Sequence, residues 1–384
     1  MHVFGKSNVA EFLGDFVVYR NLIPMDERLP SLSEICARLD LPSHKIPRKN
    51  EVSYARVIVE LLGEARRLEA PKAEIKRLIF IGDTRMSDGS AFDNICQAAG
   101  WEGIIFIGTE NSESFEFESV QTPGGQSMVL SNRWSALNES EDYNLRRYCA
   151  VRGFPIDEST AVILDLDKTT LGARGRNSQV IDQARVEAVR QTVESLLGEA
   201  FHADSFLNSY NQLNRAEFHP FTADNQDYLA YICLILGSGL YDTEKIIREV
   251  QGKRLLTFRQ FIDQVETHKT QLAPSLQAIH DSIYANVQAG DPTPFKAFRY
   301  NEYQHTVQRM GFLPDSTPVN ILLREEIVLT HEVRALALDW KQQGALLFGL
   351  SDKPDEASVP TVELAEKGYQ PLHRIPTHVV GNPK

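Results

Sequence analysis

Three short apolar runs constrain this chain more than any other feature: LIFIGD at 78–83, AVILDLD at 161–167 and ALLFGLS at 345–351. Each is an unbroken apolar stretch that delivers a polar residue at its C-terminal end. Runs of this length, separated by helical segments, are the central strands of a parallel sheet covered on both faces. Open α/β sheets take their ligands beyond the carboxyl ends of the strands. Asp83, Asp165, Asp167 and Ser351 are therefore expected to converge on one edge, although they lie far apart in the chain.

The remaining segments fill in this plan. Residues 51–68 repeat apolar positions at helical spacing, and GIIFIG at 103–108 reads as a further buried strand. ESFEFESV and GQSMVLSN flank the turn signal TPGG as a hairpin, followed by a helix around 136–151. From about 180 to 340 the pattern is almost wholly helical, before ALLFGLS, a helix around 359–368 and a last strand THVVG at 377–381. The expected fold is α/β: a Rossmann-like parallel core over 1–175 and 339–384, with an inserted all-helical domain at 176–338.

With 384 residues, 42% of them hydrophobic, the chain can bury a sizeable core. A net charge of −12 argues against nucleic acid or an anionic membrane as the main partner, since both require a basic surface. Cys36, Cys96, Cys149 and Cys233 lack metal-site or disulfide spacing. No apolar run is long enough to span a membrane, and the N-terminal stretch lacks a signal pattern. A cytoplasmic enzyme is the expectation.

Asp165 and Asp167 leave a strand end on the same face, where like charges repel unless a cation or a shared proton compensates. A D-x-D-x-T context suits covalent phosphoryl transfer, in which the first carboxylate attacks phosphorus and the second protonates the leaving group and then activates water. The plainer alternative is an acidic strand end that caps the next helix or faces solvent. Asp83 and Asp88, in GDTRMSD, are hard oxygen donors that suit Mg²⁺, and a Mg²⁺ between Asp83 and Asp165 would relieve their repulsion. Asp88 also serves as an N-cap on this reading. Ser351 offers a hydroxyl to a phosphate oxygen. Lys49 could bring a cation to the same group, in competition with Lys45 and Arg48.

Together, DLDKTT, GDTRMSD and ALLFGLSDKP resemble the haloacid dehalogenase-like (HAD) superfamily of Mg²⁺-dependent phosphatases. The resemblance implies that Asp165 is the nucleophile, Asp167 the general acid/base, Ser351 a phosphate ligand and Lys49 the phosphate-binding cation. It also implies Mg²⁺ held by Asp83, Asp165 and the main-chain carbonyl of Asp167, with Asp88 in support, and a helical cap as the inserted domain. Thr169, Lys168, Arg174 and Arg176 are the candidate substrate contacts, with Asn177 beside them; the two arginines and Asn177 read equally as solvated hinge residues.

The motif order departs from the family's. The Lys and GD motifs come first and DLDKTT and the Ser motif follow, which is the order of a circular permutation opened between THVVG and the helix after Lys49. The implied activity is hydrolysis of a small phosphorylated metabolite. A phosphoryl-transfer mutase, or a noncatalytic phosphate- or Mg²⁺-binding scaffold with a helical partner-binding domain, are the alternatives.

Overall fold

The computed structural model describes residues 1–42, 46–138 and 143–383. Among the described residues ten strands are defined in chain order: β1 (His2–Ser7), β2 (Val17–Val18), β3 (Arg77–Gly82), β4 (Glu102–Gly108), β5 (Phe117–Gln121), β6 (Ser127–Ser131), β7 (Thr160–Asp165), β8 (Leu329–Thr330), β9 (Leu346–Leu350) and β10 (Thr377–Gly381). Seven form one sheet in the order β2-β9-β7-β3-β4-β6-β5. All of its neighbours are parallel except the β5–β6 hairpin.

The three apolar runs are three adjacent interior strands, β9, β7 and β3. β7 lies between β9 and β3, with Asp165 opposite Leu350 and Leu164 opposite Ile81. Alternate residues of these strands, among them Leu78, Phe80, Ile163, Phe348 and Leu350, share one buried cluster with Val57, Ile58 and Leu61 of the helix Val52–Glu69 and with Phe92 and Ile95 of the helix Ser87–Ala99. Strands buried on both faces have no solvent side to mark with polar residues, which is why the runs are continuous rather than alternating.

Two expectations are corrected by the topology. THVVG is a strand, but it does not extend the main sheet. It forms β10 in a separate three-stranded sheet ordered β1-β10-β8, in which β1 and β10 pair antiparallel with His2 opposite Gly381. The sheet edge beside β9 is instead taken by β2, a two-residue strand too short to leave a periodic signal. The helix expected around 136–151 is a 3-10 turn at Trp134–Leu137 and a helix at Leu145–Val151.

The chain divides into two compact units. One comprises residues 1–182, 306–359 and 363–384; the other comprises 183–305 with 360–362. The second is helical, built on an apolar cluster in which Tyr231, Ile232, Leu234 and Ile235 of the helix Gln226–Gly237 meet Phe258, Phe261 and Ile262 of the helix Phe258–His268. The insert is shorter than 176–338. Residues 306–338 belong to the sheet unit because Leu329 and Thr330 pair with β10, and the helix His331–Gln342 lies against β9 and β10. Helical periodicity alone does not separate a helix of the insert from a helix of the core. No helix among the described residues is long and apolar enough to cross a membrane.

Candidate functional site

Asp165 ends β7, an interior strand of the main sheet, and is buried. Lys49, just before the helix Val52–Glu69, is buried beside it; its Nζ donates to Asp165 Oδ1 at 3.1 Å and to Asp88 Oδ1 at 2.6 Å. Of the three cations weighed for this place, Lys49 is the one bonded to these carboxylates, while Lys45 lies outside the described residues.

Asp83 follows β3 and Asp88 opens the next helix. Asp88 does not cap that helix. Its Oδ2 reaches back and accepts from the main-chain N–H of Asp83 at 3.0 Å, the N–H of Thr84 at 2.9 Å and the Thr84 hydroxyl at 2.9 Å. This fold-back explains the glycine in GD: a Cβ on Gly82 would lie 2.4 Å from Asp88 Oδ2. Carboxylate oxygens of Asp83, Asp88 and Asp165 all lie within 4.8 Å of one another. The side chain of Asp167 is not in that group, though it is near enough to Asp83 to raise its carboxyl.

The electrostatics follow from burial and crowding. Burial pushes the Asp165 carboxyl well above its usual range, Lys49 opposes, and Asp88 and Asp83 push it further up. Asp83 rises to about 6, through burial and its acidic neighbours Asp88 and Asp167 against the opposing Arg174 guanidinium. Burial acts on Asp88 in the same sense, but Lys49 and the Thr84 donors outweigh it and its carboxyl is lowered. Burial disfavours the Lys49 ammonium, yet Asp165 and Asp88 overcome this and keep it charged well above the ordinary range. Three crowded carboxylates thus face one buried ammonium and the Arg174 guanidinium, and such a group could hold a metal ion.

On the other side of β7, Ser351 follows β9 and is buried; its hydroxyl accepts from the N–H of Lys353 at 3.1 Å. Asp167, Ser351, Lys353, Tyr19 and Leu166 line one small cavity. Lys353 was not singled out by the sequence, although it stands two residues after Ser351 and its side chain is buried. Thr170 was also missed: its hydroxyl donates to the Asp165 carbonyl at 2.7 Å and fixes the turn that follows the strand.

The expected substrate contacts fare differently. Arg176 is a correction: it is buried, donating to both carboxylate oxygens of Glu332 at 2.8 and 2.9 Å and to Glu110 at 2.8 Å, so its guanidinium is committed to a structural ion pair. Asn177 ties the chain to Leu323, Glu326 and Val328. The Lys168 ammonium pairs with Asp182 at 2.7 Å. Its backbone is left-handed at φ +62°, a conformation glycine adopts freely. The Thr169 hydroxyl is sealed from solvent without a hydrogen-bonding partner among the described residues. Only Arg174 reaches the acidic group, its Nε donating to Asp83 Oδ2 at 2.5 Å.

His373 and His378, the latter in β10, are buried; His373 contacts Asp15 and Tyr19, and His378 contacts Glu326. The four cysteines are buried free thiols.

No protein-family model matches this chain, and neither a curated protein nor a solved structure does.

Proposed function

We propose that the chain is a Mg²⁺-dependent, HAD-like phosphatase that hydrolyses a small phosphomonoester through an aspartyl-phosphate at Asp165. The observation that carries this reading is the convergence of Asp165, Asp83, Asp88 and Lys49 at the carboxyl edge of β7 and β3, with Ser351 at the end of the next strand, β9.

The donor set fits Mg²⁺. It consists of hard carboxylate oxygens that repel one another, and burial, with Asp88 and Asp167 nearby, raises the Asp83 carboxyl to about 6. Asp83 and Asp165 would hold the ion with Asp88 in support. The bound ion would neutralise charge between an anionic nucleophile and an anionic ester.

The residues of the chain supply the remaining steps. Lys49 orients Asp165 and draws off part of its charge. A carboxylate oxygen of Asp165 attacks phosphorus, the bond to the leaving oxygen breaks, and Asp167 gives that oxygen its proton. Asp167 then takes a proton from water as the water oxygen attacks phosphorus, which releases inorganic phosphate and restores the Asp165 carboxylate. Ser351 donates to a phosphoryl oxygen. The helical insert is assigned the part of a substrate-selecting cap on its chain position after the nucleophile motif.

Metal-stripped protein assayed against a panel of phosphomonoesters, beginning with an aryl phosphate, tests the reading. Turnover should require added Mg²⁺, release inorganic phosphate and vanish in Asp165→Asn. Activity that survives EDTA or the substitution would overturn it, and delivery of the phosphoryl group to a second metabolite would identify a mutase.

A further inference from the structure

The loop after the DLDKTT turn is built to aim one side chain. The backbone of Arg174 is held at three points: its N–H donates to the Lys168 carbonyl at 2.7 Å, and its carbonyl accepts from Glu110 N–H at 3.0 Å and from the Trp134 indole at 3.1 Å. The next residue, Gly175, has φ +76°, and a Cβ there would come within 2.0 Å of the Glu110 carbonyl oxygen, so the chain passes too close for any side chain. From this fixed backbone the Arg174 side chain, 41% exposed, extends to Asp83, whose own side chain is 6% exposed. Nothing else in the loop behaves this way, since Arg176 is locked to Glu332 and Glu110 and Lys168 to Asp182.

We infer that Arg174 is a resident counter-cation that competes with a divalent cation for Asp83 and so sets the metal affinity of the site. This rests on the proposal that Asp83, Asp88 and Asp165 form a divalent-cation site. Arg174 occupies Asp83 Oδ2 directly. If the metal takes the other oxygen, a fixed positive charge still stands within a few ångströms of it, and like charges at that separation in a partly buried site repel strongly. Arg174 is always charged, so the competition does not fade with pH. It is a positioning residue: it acts on Asp83 and needs no contact with substrate.

Mn²⁺ serves as the probe, titrated into metal-stripped protein and followed by the loss of the free-ion EPR signal, for the wild type, Arg174→Gln, Arg174→Lys and Asp83→Asn. Arg174→Gln is expected to bind Mn²⁺ about tenfold more tightly, by removal of one nearby positive charge, while Arg174→Lys stays near the wild type. Because the side chain is partly exposed and its anchoring bonds are backbone bonds, Arg174→Gln should melt close to the wild type, which circular dichroism verifies. Unchanged or weaker Mn²⁺ binding by Arg174→Gln, with tight binding retained in the wild type and lost in Asp83→Asn, overturns this inference and leaves the metal site standing. A wild type that binds no Mn²⁺, or an Asp83→Asn variant that binds as well as the wild type, overturns both.

Discussion

Lys49 Nζ lies 3.1 Å from Asp165 Oδ1, joining residues 116 positions apart at the end of β7. The same ammonium also holds Asp88, so it bridges the β3 and β7 edges of the site. Substituting Lys49 by Met leaves Asp88 and Asp165 buried without their shared partner. Loss of one partner from a buried ion pair costs about 3–5 kcal/mol. Urea unfolding at pH 7 should show a loss of that order, and it should shrink as the pH falls and the stranded carboxyls take up protons.

Asp83 carries a pH signature of its own. Its folded-state value of about 6 lies above that of an unfolded aspartate. The native state therefore favours the proton, and the stability Asp83 contributes is full below the unfolded value and is lost as pH rises through about 6. In metal-stripped protein, Asp83→Asn should raise unfolding stability at pH 7 by on the order of 1–3 kcal/mol. The gain should disappear near pH 4, which denaturant midpoints at the two pH values will measure.

The same proton competes with a metal. A cation needs the ionised carboxylate, so stabilisation by Mg²⁺ should be strong at pH 7–8 and decline as pH drops below about 6. At a Mg²⁺ concentration about 100-fold above its dissociation constant, binding adds roughly 2.7 kcal/mol. Melting temperatures with and without Mg²⁺ across pH 5–8 should diverge toward the alkaline end; a shift independent of pH would exclude Asp83 as a ligand.

Arg176 should behave as a structural residue. Arg176→Met removes the partner of Glu332, whose side chain is fully buried, at a cost of about 3–5 kcal/mol. Arg176→Lys keeps a charge but not the two-pronged contact with Glu332, and should recover part of the loss. A stable Arg176→Met protein with an altered KM would show that the guanidinium faces substrate after all.

The sheet and the acidic group were legible from sequence because buried parallel strands write themselves as continuous apolar runs, and because strand ends fix where Asp83, Asp165 and Ser351 must emerge. What escaped had no such signature. β2 and β8 are two residues long, below any period. Arg174 and Arg176 are near neighbours in one loop, yet one is partly exposed at Asp83 and the other is sealed against Glu332, a residue 156 positions away. Composition is blind to such distant pairings. Lys353 and Thr170 were hidden by their neighbours Ser351 and Thr169, and only the backbone turn decides which hydroxyl or ammonium faces inward.

The most direct measurement is to trap the covalent intermediate. Protein turning over a phosphomonoester with Mg²⁺ is quenched in acid, reduced with borohydride and mapped by peptide mass spectrometry. The modification should fall on Asp165, within AVILDLDKTT, and be missing from Asp165→Asn. Steady turnover with no covalent adduct, or with the adduct on another residue, would contradict Asp165 as the nucleophile.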